Sequence, residues 1–122
     1  MKHKYLRELF PDKLPFPYDD EDYPDFDDRD TYNLDVSLVM WLYECFRHFQ
    51  DVVSKYVVMD NPEWHTWEVD GEQLTQLQCI NRMVEDCKVI LLKDDFDYRD
   101  QVEAAIEDLF KILSKVYRSM WW

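Results

Sequence analysis

The sequence predicts an all-α protein: an antiparallel three-helix bundle with an extended N-terminal arm rich in proline, aromatics and acids. Three observations predict it. Apolar residues recur at three- and four-residue steps in three separate segments, the pattern of helices with one buried face. Gly71 is the only glycine in 122 residues, whereas hairpin-rich sheets need glycine in their turns and bulges. Four of the five prolines fall within the first 33 residues, where they exclude a long helix or a central strand. The length suits one domain, residues 1–122, with a core of its own.

Each element has its own reasons. Over residues 1–33 the prolines of "FPDKLPFPY" imply an arm that lays Leu9, Phe10, Leu14, Phe16 and Tyr18 across the helical body, with a short helical turn at Lys4 to Phe10. Lys2, Lys4 and Arg7 make this end basic, and pairing with the acids that follow is the plain explanation for both. The first helix is predicted over 34–58, burying Leu34, Leu38, Trp41 or Leu42, Cys45, Phe49, Val52 and Tyr56. Thr31 or Asn33 caps it, and Asp30 and Asp35 suit its positive dipole end. Glu44–His48 and Asp51–Lys55 are outer-face pairs.

Pro62 closes that helix, and "NPEWHTWEVDGEQ" connects it to the next. Its Trp67-to-Val69 alternation supports a short extended piece or a turn, but no strand partner is evident. The second helix is predicted over 73–92, opened either by Asp70 or by a Thr75–Gln78 capping box. Its buried stripe is Leu74, Leu77, Ile80, Met83 or Val84, Cys87, Ile90 and Leu91. The third, over 98–120, buries Val102, Ala105, Ile106, Leu109, Ile112 or Leu113, Val116 and Met120, with Glu107–Lys111 as an outer pair.

Composition excludes several functions. One glycine cannot write a dinucleotide-binding GxGxxG or a P-loop. With 27 acids against 14 basic residues, the net charge of −13 repels nucleic-acid phosphates and anionic membranes and favours a basic protein partner. The plain alternative is an acidic cytosolic protein. "MKHKYLRELF" lacks the apolar stretch of a signal peptide. Cys45, Cys79 and Cys87, within apolar runs and with no CxxC, read as buried reduced thiols. Neither Glu-x-x-His nor His-Glu-x-x-His is present, and an isolated Glu44/His48 pair is an ordinary surface contact, so no enzyme, metal or cofactor is expected.

The candidate site is the acidic stretch. Residues 19–30 hold eight acids against Arg29. A calcium loop starting at Asp19 would need Gly at its sixth position and Glu at its twelfth, where Pro24 and Asp30 stand. The remaining readings are a solvated loop and a phosphate-like surface. In the second, Asp20, Asp22, Asp25, Asp27 and Asp28 meet a partner's Lys and Arg residues, with Tyr23 and Phe26 as anchors. Trp64, His65, Trp67, Trp121 and Trp122 are secondary interface candidates.

"FDDRDTYNLDVSLVMWLYECFRHFQD", Phe26 to Asp51, resembles a signature of small acidic proteins from tailed bacteriophages and prophages. There a Phe-Asp-x-x-Asp-Thr-aromatic-x-Leu-Asp stretch leads into a long amphipathic helix, and the chain often ends in Trp-Trp. Phe26, Asp27, Asp30, Thr31, Tyr32, Leu34, Asp35, Trp121 and Trp122 match, with Tyr32 where Trp is common. The resemblance implies context rather than chemistry: an accessory role in the host bacterial cytosol. By analogy with anti-CRISPR proteins, that role is non-enzymatic inhibition of a host nucleic-acid-handling defence protein. The alternative is a phage assembly or adaptor protein that oligomerises through aromatic surfaces.

Overall fold

A computed structural model describes residues 3–20, 22–23, 28, 34–55, 66–93 and 96–117. In chain order the elements are α1 (Lys4–Leu9), α2 (Leu34–Lys55), β1 (Thr66–Val69), β2 (Glu72–Thr75), α3 (Gln76–Leu92), a 3₁₀ turn (Phe96–Tyr98) and α4 (Arg99–Val116). The fold is mostly helical with one small antiparallel sheet, so the all-α expectation holds only in its coarse form.

The sheet is the main correction. Thr66 pairs with Thr75, Trp67 with Leu74, Glu68 with Gln73 and Val69 with Glu72. The strand partner missing from the sequence reading is Glu72–Thr75, residues that the helical pattern assigns to the helix start. Asp70 and Gly71 form the two-residue loop, at φ +52° and +84°. Two successive positive φ values describe the tight hairpin turn whose twist matches the flanking strands, and Asp-Gly is among the pairs that adopt it. Asp70 is therefore a turn residue, and Thr75 opens α3. The Thr75 hydroxyl accepts from the Gln78 N–H at 3.2 Å, and the Gln78 side chain accepts from the Thr75 N–H at 2.9 Å. This is the predicted capping box.

α3 is the central helix, packing against both α2 and α4. Gln50 of α2 meets Asn81 of α3 at 2.7 Å, and Tyr43 lies within electrostatic reach of Cys87; these pairings run α2 and α3 antiparallel. Arg82–Asp108 at 2.7 Å and Lys93–Gln101 at 2.9 Å do the same for α3 and α4. One continuous core holds Met40 and Tyr43 of α2, Ile80, Met83 and Cys87 of α3, and Leu109, Ile112 and Val116 of α4. Val69 of the hairpin and Leu6 of α1 close it.

α2 is rotated relative to expectation. Leu34, Leu38 and Trp41 are 60%, 40% and 51% exposed, and Cys45 is exposed as well. Of the alternatives Trp41 and Leu42 it is Leu42 that is buried, and Val39, Met40, Tyr43, Phe46 and Val53 take the other core positions. α2 packs against two helices, α1 and α3, and from Val36 to Tyr43 every residue but Ser37 is apolar. Two flanks are therefore buried there and Leu34, Leu38, Trp41 and Cys45 of the expected stripe are left outside, while Phe49 packs against the core as expected. Ile106 of α4 is also exposed rather than core.

The arm folds onto α2. His3, at the start of α1, has a left-handed backbone and provides no side-chain cap. The cap comes from Glu44, whose carboxylate accepts the Tyr5 and Leu6 N–H groups at 3.2 and 3.0 Å, satisfying first-turn donors that a helix cannot pair itself. The Tyr5 hydroxyl donates to Asp51, and the Arg47 guanidinium lies 4.9 Å over the Tyr5 ring. Leu14, Tyr18 and Tyr23 are buried and join the core, whereas Phe16 stays exposed. The Phe16–Pro17 peptide bond is cis.

Candidate functional site

The acidic segment is ordered by its tyrosines where it is described. Tyr18 and Tyr23 are buried, with ring centroids 5.7 Å apart in an edge-on contact. Between them the chain turns tightly: the Tyr23 N–H donates to the Asp20 carbonyl at 3.0 Å, and the Asp22 N–H to the Asp20 carboxylate at 3.0 Å. With a buried ring at each end, Asp19, Asp20 and Asp22 are exposed, as is Asp28. Tyr23 anchors the segment to the body and is not offered to a partner. Lys13 pairs with Asp19 at 3.8 Å, while Lys4 turns instead to Asp51 at 4.0 Å. Asp25, Phe26 and Asp27 lie outside the described residues.

Of the secondary candidates, Trp67 is half-buried in β1 and packs against the core. Trp64, His65, Trp121 and Trp122 lie outside the described residues.

Beside the acidic turn, the exposed stripe of α2 borders a cavity of about 310 Å³. It is lined by His3, Leu6, Tyr18, Met40, Trp41, Glu44 and Cys45. His48 sits 3.7 Å from Glu44, but that carboxylate already holds the α1 backbone, which gives the pair a structural task. Cys45 is exposed, but partial desolvation in the cavity wall and the nearby Glu44 charge raise its thiol, and burial pushes Cys87 up to about 12. Both shifts work against the thiolate that nucleophilic chemistry needs. Among the described residues, no three His, Cys, Asp or Glu side chains are grouped to hold a metal ion.

A second polar cluster, not anticipated from the sequence, ties the hairpin to α3 and α4. Arg82 reaches Asp70 at 2.5 Å and Asp108 at 2.7 Å, and Lys111 reaches Asp70 at 2.7 Å and Asp108 at 3.7 Å. Lys111 therefore serves this cluster rather than the expected outer pair with Glu107. The Lys111 and Arg82 hydrogen bonds hold the Asp70 carboxyl down at about 2. Asp86 behaves oppositely. Burial, then the hydrogen bond and negative charge of Asp108, push its carboxyl up to about 8, and among the described residues its buried Oδ2 has no other hydrogen-bond partner. A signal existed: Asp86 is seven residues after Cys79 and three after Met83, on the core-facing side of α3.

Comparison of the chain with protein-family models, with curated proteins and with solved structures gives no match. Among the described residues no helix is long and apolar enough to cross a membrane.

Proposed function

We propose that this chain is a phage-type, non-enzymatic binding protein. It offers an acidic, phosphate-like surface to a basic host protein that handles nucleic acid, and so competes with the phosphate backbone. What supports this reading is the exposed acidic turn of Asp19, Asp20 and Asp22, held between two buried tyrosines. Carboxylates on an ordered scaffold meet Lys and Arg side chains without the ordering cost of a loose tail.

The test is capture from host lysate at low and high salt. The native protein should retain a nucleic-acid-binding protein at low salt and release it at high salt. The combined variant Asp20→Asn, Asp22→Asn and Asp28→Asn should lose it while keeping native helical circular dichroism. Capture that ignores both salt and these neutralisations defeats the proposal.

A second reading, an adaptor that self-associates, draws on Ile106, Phe110 and Tyr117, which are exposed along α4. Sedimentation separates the two: a monomer favours the inhibitor, a defined oligomer the adaptor.

A further inference from the structure

We infer that the open face of α2 is a docking groove for a basic amphipathic helix of the partner protein. The inference rests on the acidic-surface reading and specifies the partner's shape. Leu34, Leu38, Trp41 and Cys45 are spaced four, three and four residues apart, the interval that keeps a seam facing a second helix. All four are exposed, and they span roughly 17 Å of helix at 1.5 Å per residue. The seam itself carries no charged side chain.

The cavity gives the seam depth. Trp41, Glu44 and Cys45 of α2 line one side and His3 and Tyr18 the other, over the fully buried Leu6 and Met40. A space of about 310 Å³ accepts one large apolar anchor side chain, the arrangement in which interface energy concentrates.

Charge selects the occupant. Tyr18 lines the cavity and leads directly into the exposed acids Asp19, Asp20 and Asp22. On α2 itself, exposed Asp35 lies one residue from Leu34 and three from Leu38. Lys13 offsets Asp19, and Asp20, Asp22 and Asp35 leave the rim net acidic. A second copy of this chain would bring like rims together on molecules each carrying −13, a repulsive juxtaposition. A helix with apolar residues at heptad spacing and Lys or Arg beside them satisfies both seam and rim.

The probes are two synthetic peptides of about three heptads. One carries Leu at the seam positions and Lys elsewhere; the other has the same composition, scrambled to abolish the seam. Calorimetry should show the seam peptide binding the native protein about tenfold or more tightly than the scrambled one. The Leu38→Ser, Trp41→Ser variant, altered only at exposed positions, should erase that difference. The Asp19→Asn, Asp20→Asn, Asp22→Asn variant should weaken both peptides.

Equal binding of the two peptides, unchanged in the seam variant, overturns the groove and leaves the acidic-surface reading intact. Preference for the seam peptide that ignores salt and acid neutralisation overturns the basic partner, and the acidic-surface reading with it. Sedimentation showing a dimer that Leu38→Ser, Trp41→Ser dissolves assigns the face to a second copy and also overturns the inference.

Discussion

Asp86 shows how one side chain sets a pH dependence. An unfolded aspartate releases its proton near pH ~3.9, but in the folded chain burial and Asp108 keep it on until about pH 8. Between these limits the folded state binds one proton more than the unfolded state, so Asp86 makes stability fall as pH rises through the window. The slope is at most about 1.4 kcal/mol per pH unit. Asp108 and Asp70 are shifted the other way, and their contributions are lost only on acidification below the usual carboxylate range. Asp86→Asn keeps the shape and removes the titration. Urea midpoints across this window should fall with pH in the native protein and flatten in the variant; parallel profiles would remove Asp86 as the cause.

At the scale of elements, local chemistry was legible and partner choice was not. The Thr75–Gln78 cap uses only neighbours in sequence, and it forms as read. Thr75→Ala should cost about 1 kcal/mol in equilibrium unfolding. The β2 strand was hidden because "EQLT" is short and polar and runs straight into a helix; only the Asp-Gly pair before it announced a hairpin. A Cβ at Gly71 would meet nothing within 4 Å, so Gly71→Ala should lose only what its positive φ requires, about 1 kcal/mol by the same measurement. A far larger loss would mean that the turn packs against more than the described residues. For α2, periodicity could not rank faces over Val36 to Tyr43, where every residue but Ser37 is apolar. The face that binds α1 is fixed by Glu44, a polar residue capping a helix 38 and 39 residues away.

Across the whole molecule, charge is distributed in two ways. Asp70 of the hairpin and Asp108 of α4 are consumed internally by Arg82 and Lys111, where they join three elements. Acids at positions 19, 20 and 22 stand outside, beside an open apolar seam. The sequence marked the acidic stretch as the place to look, through charge alone. It could not place that stretch against α2, because Tyr18, Trp41 and Cys45 meet only once α1 and the arm have folded back. In the proposed function, net charge supplies the sign expected of the partner, and the juxtaposition of seam and rim its geometry.

The rotation of α2 also leaves one thiol accessible in a chain whose other two are sealed: Cys79 and Cys87 are fully buried, and Cys45 is not. A maleimide should therefore label the native protein once, slowly because the thiol is raised, and three times in denaturant. A fluorophore attached there would sit in the wall of the cavity and report its occupation directly, with no engineered cysteine required.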